Sequence, residues 1–257
     1  MKKFDADRPG YGLFEFATPR SDLKPSLAYA ERFPNLYAAA FPLHDKAQTT
    51  AAPRAGLYGR FGKRVLDIVL IMLALPFALP VIALAALALW IEGGAPFYTQ
   101  PRLGRDGNRF SILKLRTMVR DADAVLEGYL AANPAMRAEW DEIQKLKEDP
   151  RITPVGKFLR ATSLDELPQL FNVLTGDMSL IGPRPMMPDQ LDLYGDPSAY
   201  FALRPGITGL WQVSARNNNK FVYRNEVDAA YKRAFSFGMD MTILVKTVGV
   251  VLRRTGY

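Results

Sequence analysis

From Ile68 to Ile91 the chain reads IVLIMLALPFALPVIALAALALWI, 24 residues without a charge. As one straight helix this segment would be roughly 36 Å long, enough for a bilayer core. Pro76 and Pro80 fall in its middle, and each removes a backbone hydrogen bond and crowds the preceding turn. The halves they leave are about 18 Å each, too short to cross separately. Both flanks are basic: Arg54, Arg60, Lys63 and Arg64 precede the run, and Arg102, Arg105, Arg109, Lys114 and Arg116 follow it. Positive charge marks the cytoplasmic side, so both ends favour the same side. The pattern predicts a re-entrant helix–break–helix over residues 56–92 that dips into one leaflet and returns, with a single straight crossing as the rival. Asp67 is expected near the interface, beside a base such as Arg64.

Residues 1–55 hold scattered prolines and no sustained apolar period, which predicts a mostly irregular tail, with room for a short amphipathic helix around Leu27–Tyr37. The start, MKKFDADRPG, has no apolar core of the kind a secretory signal carries. Residues 93–257 are expected to form one cytosolic catalytic domain. Within it RFSILKLR (109–116) alternates as a strand with Lys114 and Arg116 on one face. Asp121 to about Lys147 reads as helix interrupted at Asn133-Pro134. In SLDELPQLFNVL (163–174), Pro168 is tolerated only near a helix start, which places that start at Ser163–Asp165, with Leu167, Leu170, Phe171 and Leu174 buried. Pro183 and Pro185 stiffen an extended loop around Arg184. RPGITGLWQVSAR (204–216) reads as a turn and short strand, with Trp211 in a core or at a membrane interface. Asp240 opens a last amphipathic helix with Ile243, Leu244, Thr247, Val248, Val251 and Leu252 on one face, ended by Arg253 and Arg254. The expected fold class is α/β, predominantly helical: a compact cytosolic domain, the re-entrant segment, and amphipathic helices at the membrane surface.

Composition narrows the chemistry. A hydrophobic share of 49% fits a folded chain. A formal net charge of +7 favours a polyanionic neighbour, whether an anionic bilayer, a nucleotide substrate or nucleic acid. The apolar segment argues against nucleic acid. Cysteine is absent and His44 is the single histidine, which excludes cysteine-ligated zinc and argues against a Ser-His-Asp triad. A nucleophile must be activated in another way.

Asp165 and Glu166 are adjacent carboxylates in a basic chain. Taken alone, Ser163-x-x-Glu166 is a capping box, a structural motif. The neighbouring Arg160 and Arg184 point elsewhere. A helix start with a nearby arginine favours ionised carboxylate, which a nucleophile needs, and the same positive end can hold phosphate. Paired carboxylates also invite Mg²⁺ shared with a substrate phosphate. No GxxxxGK[ST] or strand-coupled GxGxxG is present, so a nucleotide would be held by another device.

Four stretches in fixed order, KRVLDI (63–68), GRDGNRFSILKLRTM (104–118), LRATSLDELPQLFNVLTGDMSLIGPRP (159–185) and RPGITGLWQVSARN (204–217), strongly resemble the bacterial sugar transferases, the monotopic polyprenyl-phosphate phosphoglycosyl transferases. The likeness covers about residue 60 to 257, and the 121–153 spacer and KTVGVVLRRTGY ending look most like the hexose-1-phosphate branch. With no multi-span N-terminal region in view, the chain resembles the compact members. The resemblance implies transfer of hexose-1-phosphate from a UDP-sugar, galactose first and glucose as the alternative, to undecaprenyl phosphate with release of UMP. That is the first membrane step of exopolysaccharide, O-antigen or capsule repeat-unit synthesis. It implies a covalent aspartyl-phosphosugar intermediate on Asp165, with Glu166 as partner and Mg²⁺ held by both. Lys114, Arg160 and Arg184 match basic residues around the phosphates, and Arg216 and Asp240 match further active-site positions. Pro80 matches the proline that breaks the membrane helix; Leu79 stands where the family often has serine, and Pro76 is an additional break. The implied place is the cytoplasmic face of the bacterial inner membrane, among membrane lipids, with a homodimer left open. The non-enzymatic alternative is a basic membrane adaptor, which would have no use for Asp165.

Overall fold

The computed structural model describes residues 56–143, 146, 149–214 and 223–252. The expectations for the N-terminal tail, Arg216, Arg253 and Arg254 lie outside these residues.

A π-helical turn, Tyr58–Gly62, leads into α1, Lys63–Gly93, with Pro76 and Pro80 both inside it. The expected helix–break–helix is thus one helix in the backbone, not two separated by a non-helical break. Its buried residues give the reason. Lys63, Asp67, Ile71, Ala78, Ile82, Ala85 and Leu89 recur at steps of three, four or seven residues, and a continuous helix keeps such a stripe on one face. Ile71, Ala78 and Ile82 pack on Ile112, Leu170, Val173 and Met178; Ala85 and Leu89 pack on Leu115 and Leu159. The opposite face, including Val65, Met72, Leu73, Phe77, Leu84 and Trp90, is exposed. Tyr58–Gly93 is long and apolar enough to cross a membrane by length and composition.

Both ends of α1 are tied to the same domain. Near its start, Asp67 accepts hydrogen bonds from the Ser179 hydroxyl and the Leu180 N–H, each 3.1 Å. The cation beside Asp67 is Lys63, at 3.7 Å, whereas Arg64 donates to the Leu174 carbonyl at 2.9 Å. Near its end, Arg116 donates to the Leu89 and Gly93 carbonyls at 3.2 and 2.6 Å, occupying carbonyls that a helix C-terminus leaves open.

The hairpin of β1 (Phe97–Leu103) and β2 (Arg109–Leu115) is antiparallel, with Lys114 opposite Tyr98. Helices α2 (Ala122–Ala132) and α3 (Pro134–Ile143) follow, interrupted at Asn133 as expected. Asn133 donates its side-chain amide to the Tyr129 carbonyl, so it closes α2. Then come α4 (Pro154–Thr162), a 3₁₀ turn (Leu164–Glu166), α5 (Gln169–Thr175) and β3 (Ser179–Ile181). Two one-turn helices, α6 (Leu191–Tyr194) and α7 (Ser198–Phe201), carry the crossover to β4 (Gly206–Thr208), which pairs parallel with β3. Trp211 lies not on a strand but on α8 (Leu210–Ser214), buried with Ile181, Tyr231 and Ile243. Helices α9 (Tyr223–Arg233) and α10 (Phe237–Leu252) complete the described residues. In α10, Ile243 faces inward while Val245 and Val248 are exposed, so Val248 departs from the expected face.

Candidate active site

The acidic pair sits on a turn between helices. Thr153 caps α4 by accepting from the Gly156 N–H at 3.0 Å, and Pro154 occupies the first turn. Ser163, with φ +58°, takes the left-handed conformation that ends α4, and its N–H returns to the Arg160 carbonyl. Its side chain caps nothing, so the expected capping box is absent and the first regular turn of α5 starts only at Gln169.

Three cations surround them. The Lys114 ammonium lies 2.8 Å from Glu166 Oε1 and 4.0 Å from Asp165 Oδ2. Arg184 reaches the same Glu166 oxygen at 3.2 Å. Arg160 donates its Nε–H to the Thr117 hydroxyl at 2.8 Å, and its charge acts on Asp165. Asp165 is only 8% exposed. Burial raises its pKa above the usual carboxylate value, Glu166 pushes the same way, and Lys114, Arg160 and Arg184 oppose them. A carboxylate withdrawn from water beside cations is basic enough to attack, while the cations suit phosphate.

The frame holding these groups depends on close backbone approach. Asn172 on α5 clamps β2: its amide oxygen accepts from the Leu113 N–H at 2.9 Å, and its amide N–H donates to the Ser111 carbonyl at 2.8 Å. That clamp presents Lys114 to the acidic turn. A Cβ on Gly156 would lie 2.2 Å from the Thr117 carbonyl oxygen, so α4 lies flush on the segment carrying Thr117. The Arg184 loop crosses β4 with the Gly206 N–H donating to the Pro183 carbonyl at 2.8 Å. A Cβ on Gly182 would lie 2.2 Å from the Arg204 carbonyl oxygen.

The structure brings Lys114, Arg160, Asp165, Glu166 and Arg184 together. Asp240 is placed elsewhere. It is fully buried, 2.9 Å from the Lys63 ammonium and accepting hydrogen bonds from Tyr58 and Tyr231. Its role in this structure is to bind α10 to α1. Two arginines join the site that sequence reasoning had not assigned to it. Arg102 donates to the Pro185 carbonyl at 3.1 Å, beside Arg184. Arg224 lies over the Trp211 ring at 5.4 Å. Burial first, and then the repulsion of Arg184, lowers each guanidinium to about 10. Next to Arg224, Asp228 is buried and accepts from the Tyr194 hydroxyl.

Among the described residues no group of three or more histidine, cysteine or acidic side chains could hold a metal. Asp165 and Glu166 supply two carboxylates only. That set fits a hard cation completing its shell from phosphate and water, as Mg²⁺ does, and not a cation caged by protein alone.

The sequence model described as "Bacterial sugar transferase" matches residues 58–254. Over 198 residues the chain is 49% identical to the "UDP-galactose-lipid carrier transferase" of Erwinia amylovora, covering 77% of this chain and 42% of that protein. It is 48% identical to the "Undecaprenyl-phosphate galactose phosphotransferase" of Salmonella typhimurium, with the same coverage of 77% and 42%. It is 43% identical to the "Exopolysaccharide production protein ExoY" of Rhizobium meliloti, covering 77% of this chain and 89% of that one. The chain thus spans less than half the length of the first two relatives and most of the third.

Proposed function

Because the chain belongs to the bacterial sugar transferase family, we propose that it transfers hexose-1-phosphate from a UDP-sugar to undecaprenyl phosphate and releases UMP. Galactose is the first expectation for the sugar and glucose the second. The observation that carries this reading is the buried Asp165–Glu166 turn enclosed by Lys114, Arg160 and Arg184.

The reaction divides into two displacements. An Asp165 carboxylate oxygen attacks the sugar-bearing phosphorus of the donor, and the bond between the two phosphates breaks with its electron pair leaving on UMP. A phosphate oxygen of the lipid then attacks the same phosphorus, and the carboxylate departs as it began. Arg184 and Lys114 neutralise charge on the transferring group and on UMP. Glu166, bonded to both cations, orients them when no substrate is present. Asp165 and Glu166 would hold Mg²⁺, which supplies Lewis-acid stabilisation to the phosphates when bound.

The membrane placement in this reading is monotopic, at the cytoplasmic face of the bacterial inner membrane. Its support is that α1 packs along its length on the domain, from Lys63–Asp240 to Glu92, whose carboxylate accepts from the Val155 N–H at 3.1 Å. A helix bound at both ends to one polar domain suits a shallow position, apolar face toward lipid. It does not suit a perpendicular crossing, which would carry Lys63 and Asp67 or Glu92 and Arg116 away from their side.

The test is to trap the enzyme with labelled UDP-sugar in the absence of lipid and to identify the nucleotide released. The expected result is UMP with a phosphosugar on Asp165. Asp165→Asn should lose the adduct and cut turnover by at least about a thousandfold, the scale of losing a nucleophile. Full turnover by Asp165→Asn, or release of UDP, would sink the proposal.

A further inference from the structure

A cavity of about 220 Å³ adjoins the acidic turn, walled by Leu164, Leu167, Leu170, Ile207, Val213 and Val250, with Glu166 and Arg184 also in its lining. We infer that this cavity receives the phosphate-proximal prenyl segment of the acceptor lipid, its phosphate lying at Arg184; the inference rests on the function proposed above.

The wall chemistry selects the occupant. Its threonine hydroxyls are already committed within the chain. Thr208 and Thr247 bond each other at 2.7 Å, Thr247 also donates to the Ile243 carbonyl at 2.8 Å, and Thr162 donates to the Phe158 carbonyl at 2.8 Å. What they offer the cavity is largely methyl surface. Beyond the end that holds Ser163, Glu166 and Arg184, a hexose would bury hydroxyls against aliphatic walls without partners, which is costly. The exception is Gln212, 7% exposed, whose Oε1 has no partner among the described residues. A uracil N–H could satisfy that oxygen, but among the described residues no aromatic side chain lines the cavity to stack on the base. Aliphatic walls fit an isoprene chain better than either.

Size and position agree. Pockets that enclose a whole small molecule run to about 300–1,000 Å³, so this smaller space takes the first part of a longer chain. Arg184 presents a guanidinium suited to phosphate, beside the Asp165 turn where the second displacement takes place. The elements forming the cavity also carry exposed apolar side chains: Phe158 on α4, Phe171 on α5, Val245 and Val248 on α10. The remaining length of a long prenyl chain therefore passes from the cavity to an apolar exterior of the kind that rests on a bilayer.

The full chain in nanodiscs tests this in two ways. First, geranyl phosphate bearing a diazirine on its terminal isoprene is photolysed with the wild-type protein. The expected label falls on the cavity walls, within residues 162–170, 207–213 or 247–250; label confined to α1 or to residues outside the cavity overturns the inference. Second, Val213→Phe and Thr247→Phe, which fill the cavity from two sides, should raise KM for undecaprenyl phosphate at least tenfold more than KM for the UDP-sugar. A rise chiefly in donor KM would make the cavity a nucleotide or sugar site, and no rise in either would leave it without a ligand; both results overturn the inference. Photolabelling does not depend on the variants folding. It also separates this inference from the proposed reaction: a wild-type protein that labels in the cavity yet releases no UMP from any UDP-sugar refutes the reaction alone.

Discussion

Replacing Lys114 by methionine removes the cation that most strongly opposes the raised pKa of Asp165. The ammonium stands 4.0 Å from Asp165 Oδ2, and both side chains are well shielded, 17% and 12% exposed. At an effective dielectric near 20, unit charges about 4 Å apart interact by roughly 4 kcal/mol. Arg160 and Arg184 remain, and solvent compensates part of that energy, so the Asp165 pKa should move up by the rest. A nucleophile must be ionised, and a higher pKa delays ionisation to higher pH. The acid limb of kcat/KM for UMP release, followed from pH 5 to 9 at constant Mg²⁺, should therefore shift alkaline. Lys114→Arg should reverse most of that shift. An acid limb that stays in place in Lys114→Met, with activity merely scaled down, would show that Lys114 binds substrate without tuning the carboxylate, and the electrostatic reasoning would fail.

Burial raises Asp228 from 3.8 to about 7, against Tyr194 and Arg224, which lower it. Between those values the folded chain keeps a proton that the unfolded chain gives up, so stability falls as pH rises from about 4 to about 7, by up to about 4 kcal/mol. Asp228→Asn should flatten that part of the Tm-against-pH curve; an unchanged slope refutes the assignment. The chain has no cysteine, and Arg60 and Arg105 are exposed on either side of α1. Single cysteines at these positions should both react with an impermeant maleimide in inside-out vesicles and neither in intact cells, and opposite sidedness would establish a crossing helix.

The sequence made the chemistry of the site more legible than its architecture. Asp165, Glu166 and Arg184 stood out because adjacent carboxylates and a proline-flanked arginine are local features. Their convergence with Lys114 was not local: it depends on Asn172 clasping β2 across some 60 residues, and an asparagine in a helix gives no such notice. Arg102 was visible only as one flanking charge among several, and Arg224 not at all, because their relation to Arg184 is made by the fold. Asp240 shows the converse. An aspartate at a helix start suits capping, phosphate chemistry or an ion pair equally, and its partners, Tyr58 and Lys63, lie nearly the whole domain away in sequence. The start of α4 was legible in Thr153-Pro154, a cap followed by a first-turn proline. The left-handed Ser163 was not, since nothing in its type distinguishes ending one helix from beginning the next.

The stripe from Lys63 to Leu89 makes α1 part of the protein's interior as well as its greasy exterior. A fragment starting at Gly94 would uncover Ile112, Val173, Met178 and Leu115, and would strand the Asp240 carboxylate without its ammonium. The long helix and the acidic turn thus belong to one cooperative unit, and severing the helix would remove part of the scaffold on which the turn rests.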